Sequence, residues 1–205
     1  MRPVLHAVAC GFIALMTVSC APGPLSSTWV APGTARSQYH DLLVFGVAAN
    51  PTVRRAYEDN FVSALQDIGV KAIASHTLIP DKRLRSSKAV QEAVGRSSAD
   101  GVIVTYLAAE DTDPSSTGTR THVLPSLYDR FYPYYGHVLG KVTTADYYAD
   151  YRALRLETNL YDAGRATLVW SGRSDPLDPQ SEETRISEVI GAVIDKLKAE
   201  GLLPP

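Results

Sequence analysis

The alternation of short apolar runs with helix-forming segments in the first half of the chain constrains the fold most. Residues 41–49 (DLLVFGVAA) form a nearly continuous apolar run bounded by Asn50 and Pro51, which is typical of a buried strand. Residues 70–75 and 102–107 are two further runs of this kind. Segments with a helical period separate the three runs. This order predicts right-handed crossovers and a partly parallel sheet.

The segment after Pro51 predicts an amphipathic helix that Asn50 caps and Gly69 ends. Apolar residues recur along one stripe of this helix; they are Val53, Tyr57, Phe61, Leu65 and Ile68. The charged residues lie mostly off that stripe, and we expect them to form a solvated face. They are Arg54, Arg55, Glu58, Asp59 and Asp67.

The second half of the chain predicts a hairpin and a final helix. Residues 151–162 alternate between apolar and polar side chains, as a half-exposed strand does. Residues 166–171, which include Trp170, follow a tight turn and supply the hairpin partner. Ser181 is the expected cap of the last helix. The buried stripe of that helix comprises Ile186, Val189, Ile190, Val193, Ile194 and Leu197.

Together these elements predict an α/β fold of order β-α-β-α-β-β-β-α. We expect a mixed sheet of about five strands with helices packed on it, in a two-layer or three-layer sandwich. Residues 38–205 are expected to form a single domain. Within this domain, residues 108–150 form a tyrosine-rich insertion without a clear period, and long connections of this kind are usually functional or disordered.

The first 20 residues have the composition of an export signal. Arg2 precedes an apolar stretch at residues 4–16, which is shorter than the roughly 20 residues of a transmembrane helix. The sequence TVSC at residues 17–20 resembles the lipobox of bacterial lipoproteins, although leucine is commonest at the position of Thr17. The resemblance implies that residues 1–19 are a signal peptide and that Cys20 is acylated, for example with palmitate. The alternative is an ordinary signal peptide with a chance cysteine.

Cysteine usage agrees with an anchor. Cleavage before Cys20 would remove Cys10, which is the only other cysteine, so that no disulfide could form. Several acyl chains on one residue would anchor the chain stably in a membrane. Residues 20–37 predict a flexible tether, in which Trp29 either pins the tether to the domain or rests at the membrane interface. In Gram-negative lipoproteins an aspartate directly after the acylated cysteine favours retention at the inner membrane. This chain has Ala21 at that position, so the resemblance implies the outer membrane, facing the periplasm.

Composition and motifs limit the function. The net charge is −2 and both signs are interspersed, so we expect no nucleic-acid partner. The sequence has no glycine-rich phosphate loop and no G-x-S-x-G elbow. The five histidines are scattered without metal-ligand spacing. We therefore predict no cofactor and no metal, and the sequence favours a non-catalytic role. Catalytic residues can assemble from distant positions, so an enzyme stays open as an alternative.

Tyrosine is the unusual residue in this composition, with eleven copies. Tyrosine offers a large amphipathic contact area at low entropic cost, and interfaces are enriched in it. We therefore predict that an aromatic cluster in the insertion binds a partner. Its members are Tyr128, Phe131, Tyr132, Tyr134, Tyr135, Tyr147 and Tyr148. The alternative is that these rings cover the sheet and bury themselves.

Several segments resemble a group of small uncharacterised bacterial envelope lipoproteins. They are Arg55 with residues 57–59 (YED), residues 98–102 (SADGV), and residues 157–162 (ETNLYD) running into 168–172 (LVWSG). More distantly, the order of elements is similar to the amino-terminal domain of the translocation protein TolB. It is also similar to periplasmic lipoproteins that activate cell-wall synthases or build the curli secretion pore. The resemblance implies a binding or assembly role, although a shared fold does not fix function.

The sequence leads to one main hypothesis and two alternatives. The main hypothesis is an outer-membrane lipoprotein whose non-catalytic periplasmic domain binds or helps assemble an envelope partner. The first alternative is a periplasmic hydrolase or small-ligand-binding protein that uses residues 108–146 as a lid. It predicts a deep pocket with a histidine and a carboxylate within hydrogen-bonding distance. The second alternative is a homo-oligomeric subunit associated with secretion or a pore.

Overall fold

The computed structural model describes residues 24–33, 38–110, 128–149, 153–177 and 182–205. These ranges contain six strands and four α-helices. The strands are β1 (Leu25–Val30), β2 (Asp41–Val47), β3 (Lys71–Ala74), β4 (Gly101–Glu110), β5 (Ala153–Asp162) and β6 (Thr167–Ser174). The helices are α1 (Pro51–Asp67), α2 (Ser87–Ser97), α3 (Phe131–Val142) and α4 (Glu182–Ala199), and two 3-10 turns lie at Ser75–Thr77 and Asp81–Arg83.

The strands form one open mixed sheet of order β1-β6-β5-β4-β2-β3. Strand β2 pairs in parallel with both β3 and β4, whereas β4-β5, β5-β6 and β1-β6 are antiparallel pairs. The predicted α/β fold with a mixed sheet and helices packed on it is therefore confirmed. Strand β1 is an addition to the roughly five strands expected from the sequence pattern.

Helices cover both faces of the sheet, so that the fold has three layers. Side chains alternate across a strand, and in β2 Leu42 and Val44 contact one apolar cluster while Leu43 and Phe45 contact the other. Helices α1 and α4 pack on the first face. Helices α2 and α3 pack on the second face. We refer to the end at which β2, β3 and β4 terminate as the carboxyl end of the sheet.

Helix α1 agrees with the predicted cap and differs from the predicted stripe. Asn50 Oδ1 accepts a hydrogen bond of 2.8 Å from the backbone N–H of Thr52, as the cap requires. Val53 is 53 % exposed, whereas Arg54 and Glu58 are buried. The solvated-face prediction is wrong for these two charged residues, because their side of the helix meets hydrogen-bonding groups at the carboxyl end of β2 and β3. The rest of the stripe is confirmed at Tyr57, Phe61 and Leu65.

Strand β1 lies inside the segment predicted to be a flexible tether. Its six residues pair antiparallel with β6, and Trp29 lies opposite Ser171. For these residues the tether prediction is wrong, because main-chain hydrogen bonds to β6 satisfy their backbone groups and fix the strand. Trp29 packs against the second-face cluster. It pins the segment to the domain, which is one of the two roles expected for it. Cys20 lies outside the described residues.

Helix α3 lies inside the predicted insertion, where no clear period was expected. Pro133 falls in its first turn, where a missing N–H removes no helical hydrogen bond. Its buried residues recur at spacings of three and four; they are Phe131, Tyr134, Tyr135, Val138, Leu139 and Val142. The helix therefore packs against the second face of the sheet. Residues 111–127 and 150 of the insertion lie outside the described residues.

Helix α4 closes the first face. The predicted stripe is confirmed, since Val189, Ile190, Val193, Ile194 and Leu197 are buried and Ile186 is partly buried. The expected cap, Ser181, lies outside the described residues. In the part of the chain that the structure describes, no helix is both long enough and apolar enough to cross a bilayer.

Candidate functional site

The seven aromatic residues predicted to bind a partner divide into a buried set and a partly exposed set. Phe131, Tyr134 and Tyr135 are 1 %, 0 % and 5 % exposed. Their rings pack on Phe45 and Tyr161 of the sheet. The partner-surface prediction is wrong for these three, because their side chains form the contact between α3 and the sheet. The alternative expectation, that the rings cover the sheet, describes them correctly.

Tyr128 and Tyr132 are partly buried. Tyr128 packs on Tyr134 with ring centroids 4.9 Å apart, and Tyr132 packs on Phe131 at 4.8 Å. Tyr132 also lines a groove of about 150 Å³ between α2 and α3. Leu84, Arg85, Val90 and Leu139 contribute to the same groove. The aromatic surface that remains on this side of the domain is therefore centred on Tyr132.

Tyr147 and Tyr148 lie together at the carboxyl end of the sheet. Their ring centroids are 4.7 Å apart in an edge-on arrangement. The Tyr148 hydroxyl donates to the carbonyl of Leu107 at 3.1 Å, and the backbone N–H of Ala109 donates to the Tyr147 hydroxyl at 3.2 Å. Both side chains are half-buried. These hydrogen bonds hold the aromatic pair against the last residues of β4.

A buried carboxylate, Glu157, connects α3 to the sheet. The Tyr134 hydroxyl donates to Glu157 Oε1 at 3.0 Å, and the Tyr106 hydroxyl donates to Oε2 at 3.4 Å. Burial, followed by the nearby Glu157 charge, raises the pKa of both phenols. The phenols therefore stay protonated and act as donors, so this cluster fixes the position of α3.

A second buried carboxylate, Glu58, is the centre of a polar network at the carboxyl end. Its Oε1 accepts from the N–H of Gly46 at 3.0 Å, from Arg54 Nε at 3.0 Å and from Ser75 Oγ at 2.7 Å. Its Oε2 accepts from the N–H of His76 at 2.7 Å. The four donors come from three elements. Glu58 thus joins α1 to the end of β2 and to the turn after β3.

The network continues to the surface through Asp81. Arg54 Nη1 donates to Asp81 Oδ1 at 2.9 Å, and Arg55 Nη1 donates to Oδ2 at 2.7 Å. The hydrogen bond from Arg55, together with the charges of both arginines, holds the pKa of Asp81 below its usual range. Arg54 and Arg55 are neighbours in sequence, yet one is buried and the other is 44 % exposed.

The three histidines in the described ranges do not form the expected deep pocket with a carboxylate. His40 and His137 are exposed. His76 Nε2 lies 2.7 Å from Asp59 Oδ1, but Asp59 is 61 % exposed and the pair sits at the surface. His6 and His122 lie outside the described residues. Among the residues that are described, no three metal-ligating side chains come together.

A mostly apolar crevice of about 270 Å³ opens on the first face. It lies between the first turns of α1, the ends of β2 and β4, and the start of α4. Its apolar walls comprise Val47, Ala48, Val53, Ala56, Leu107, Leu156 and Ile186. From β2 the chain crosses to β3 on one side of β2, and from β3 it crosses to β4 on the other side of β2. The crevice therefore occupies the switch point outside the carboxyl ends of parallel strands, where ligands of open α/β sheets bind.

The hydroxyl-bearing residues Tyr57 and Thr105 line this crevice, and Thr158 lies behind Thr105. Thr105 Oγ1 and Thr158 Oγ1 are 2.9 Å apart. The Tyr57 hydroxyl interacts with both threonines, and burial raises its pKa. Arg54 also contributes to the lining, but its guanidinium already bonds Glu58, Asp81 and Ser75. The crevice therefore combines apolar walls with polar groups whose hydrogen bonds are made within the protein.

The sequence-based interpretation missed this crevice and the Glu58 network. Helix α3, the described part of the predicted lid, packs on the second face, whereas the crevice opens on the first. One signal was available: the order strand, helix, strand, helix, strand implies a switch point beside β2. The loop after Val47 and the start of α1 follow from that order as the expected site.

Comparisons with known proteins identify no family. No family model matches the chain, and no curated protein matches it. Among solved structures, the chain is similar to the PelC dodecamer from Paraburkholderia phytofirmans, with a TM-score of 0.41 and 13 % identity over 87 % of this chain and 97 % of that one. A variant of the same dodecamer in another crystal form gives a TM-score of 0.44 and 15 % identity, over 87 % and 99 % of the two chains. The likeness is distant and assigns no function to this chain.

Proposed function

We propose that this chain is a bacterial lipoprotein, acylated at Cys20 and held at the outer membrane, whose periplasmic domain binds or helps assemble an envelope partner. Residues 1–19 are the signal peptide in this proposal, and Cys20 is the first mature residue. The lipobox-like sequence TVSC at residues 17–20 and the lack of any further cysteine after it support the anchor.

The observation that carries the proposal is how soon the fold begins after Cys20. The backbone N–H of Asp175 donates to the carbonyl of Pro24 at 2.9 Å, and β1 starts at the next residue. Pro24 comes four positions after Cys20, so the two residues are at most about 14 Å apart. A domain held this closely is positioned to act at the membrane surface. A long flexible tether would instead let it range through the periplasm.

Partner binding is assigned to the groove around Tyr132. Leu84, Val90 and Leu139 contribute apolar lining to the groove, and Arg85 also lines it. Aromatic and arginine side chains are enriched at the centres of protein interfaces. The other aromatic pair, Tyr147 and Tyr148, lies at the carboxyl end and is a second candidate contact.

Crosslinking in cells tests this assignment. A photoactivatable amino acid replaces Tyr132, Tyr148 or, as a control, the exposed Ser63 of α1. We expect one discrete protein to be captured from Tyr132 and not from Ser63. Capture that is equally diffuse from all three positions contradicts the partner-binding assignment. Tyr134 is unsuitable as a probe position because its side chain is fully buried.

Small-ligand binding is a second candidate function, and the crevice favours it. Clefts that bind ligands are mostly apolar with a few oriented polar groups, and the Tyr57 and Thr105 hydroxyls supply such groups. This function is compatible with the anchor, since both can belong to one protein.

Homo-oligomeric assembly is the remaining alternative. Strands β1 and β3 each pair on one side only within the described sheet, and unpaired strand edges can template contacts between chains. Light scattering of the chain with Cys20→Ser distinguishes this alternative. A strict monomer contradicts it, whereas a defined multimer supports it.

A further inference from the structure

We propose that the crevice on the first face takes an acyl chain from a phospholipid of the membrane in which Cys20 is anchored. This inference rests on the proposed function, because it requires the domain to sit at a bilayer. It goes beyond that function by giving the crevice a ligand.

The start of β1 fixes which end of the domain faces the anchor. Leu25 lies opposite Ser174, the last residue of β6. Strand β6 is antiparallel to β5, which is antiparallel to β4, so the last residues of β6 and β4 lie at the same end. An anchor four residues before Pro24 therefore draws the carboxyl end of the sheet toward the bilayer.

The crevice is built at that same end. Val47 is the last residue of β2, and Val53 and Ile186 come from the first turns of α1 and α4. Strand β1 is separated from β4 by β6 and β5, and three strand spacings correspond to about 15 Å. This lateral distance is similar to the reach of the anchor segment. The mouth of the crevice is therefore within range of the lipid surface.

The same end carries the Tyr147 and Tyr148 pair. Tyrosine rings are enriched where a protein meets the boundary between water and lipid, because one end of the side chain is apolar and the other is polar. Here the hydroxyls bond to the backbone of β4. The aromatic pair is thus a second membrane-facing feature at the same end of the sheet, where Tyr147 packs on the second face and the crevice opens on the first.

The lining selects an apolar chain over a charged group. Arg54 is the single charged residue among the described lining residues, and it is already paired with Glu58 and Asp81. An anionic headgroup would have to compete with those two carboxylates. The Thr105 hydroxyl that lines the crevice already bonds to Thr158, so an apolar ligand beside it does not leave that hydroxyl unsatisfied.

Exposed apolar surface at the mouth supplies the driving force. Val53 is one of two large apolar side chains that are substantially exposed in the described residues, and it belongs to the crevice wall. An acyl chain in the bilayer is already in an apolar environment, so its transfer into the crevice contributes little free energy by itself. The gain comes from removing the walls of the crevice from contact with water.

Photolabelling of the full lipidated protein in vesicles tests the inference. The vesicles contain phosphatidylethanolamine and phosphatidylglycerol, with a small fraction of phospholipid that carries a diazirine near the end of one acyl chain. We expect covalent label on peptides from the start of α1 and the start of α4. Ala56→Trp should reduce that label several-fold, because Ala56 is an exposed wall residue and the indole would fill the mouth.

Ser63→Trp is the matched control, because Ser63 is also exposed on α1 but two turns further along and outside the crevice. It should leave the labelling unchanged. Wild-type protein that floats with the vesicles yet carries no label on α1 or α4 overturns the inference and leaves the anchor intact. Label that reaches the crevice only from a diazirine fatty acid incorporated at Cys20 overturns the choice of a phospholipid. A chain that does not float contradicts the anchor and the inference together.

Discussion

Arg54 Nε and Glu58 Oε1 are 3.0 Å apart in an ion pair whose side chains are 1 % and 0 % exposed. Glu58 also accepts from the backbone of β2 and of the turn after β3. The pair therefore holds the first turns of α1, which form one wall of the crevice, against the carboxyl end of the sheet. The stability of the crevice depends on this network.

Removing one partner of the pair leaves a buried charge without its counter-ion. We expect Arg54→Met to lower the free energy of unfolding by about 3 kcal/mol. The neighbouring Arg55→Met removes only the exposed contact to Asp81 and should cost less than about 1 kcal/mol. Urea denaturation of both variants measures the difference. Equally small losses of unfolding free energy in both variants would contradict a stabilising role of the buried Arg54.

Two buried tyrosines that differ in hydrogen bonding provide a second test. The Tyr134 hydroxyl donates to Glu157, so Tyr134→Phe should lower the free energy of unfolding by about 1.5 kcal/mol. The Tyr161 hydroxyl has no hydrogen-bond partner in the described part of the chain. Tyr161→Phe should therefore be neutral or stabilising. Thermal unfolding followed by circular dichroism compares the two, and a larger loss for Tyr161→Phe would be the contrary result.

Helix α3 contains two glycines that its backbone does not require. A Cβ added at Gly136 or Gly140 would meet no atom within 4 Å, so alanine at either position should stabilise the fold by roughly 0.5–1 kcal/mol. Gly172 is the control, because a Cβ there would overlap the ring of Trp170. Gly172→Ala should destabilise the protein. Denaturation midpoints of the three variants test the opposite signs.

Alkaline pH should weaken the fold through its buried phenols. Burial, followed by the negative charge of Asp162, raises the pKa of Tyr39 to about 12. Below the usual tyrosine pKa of about 10 both states carry the proton. Between these values the unfolded chain loses it while the folded chain retains it, so stability falls as the pH rises.

The control for this prediction is Tyr39→Phe, which removes one titrating group. The unfolding free energy of the wild type should decline between about pH 10 and pH 12, and the decline should be shallower in the variant. Denaturant titrations at a series of pH values supply both slopes. Identical slopes would show that Tyr39 does not keep its proton in the folded state.

Periodic segments could be predicted from the sequence, and elements that depend on distant contacts could not. In helix α4 and strand β2, the positions that the sequence pattern predicts to be buried are buried or partly buried in the described residues. Strand β1 has no pattern of its own, and its pairing partner β6 lies more than a hundred residues away in the chain. A local reading of residues 20–37 cannot contain that information.

Helix α3 could not be predicted from the sequence because its composition disfavours a helix. Pro133, Gly136 and Gly140 lower the intrinsic helix propensity, although its buried residues do recur at helical spacing. Burial of aromatic rings on the sheet outweighs the propensity here. In the same way, Arg54 and Glu58 look like a surface pair at spacing four, and it is hydrogen bonds from distant groups, such as the backbone donors of Gly46 and His76, that make their burial favourable. The candidate site therefore depended on contacts that local sequence does not encode.

The central claim is that Cys20 anchors the domain directly at a membrane. The most direct measurement is the intact mass and vesicle flotation of the mature protein, for the wild type and for Cys20→Ser. We predict that the wild type begins at Cys20, carries the mass of its acyl chains and floats with the vesicles, whereas Cys20→Ser lacks the added mass and stays in the soluble fraction. A wild-type chain without added mass, or a Cys20→Ser variant that floats equally well, would contradict the account.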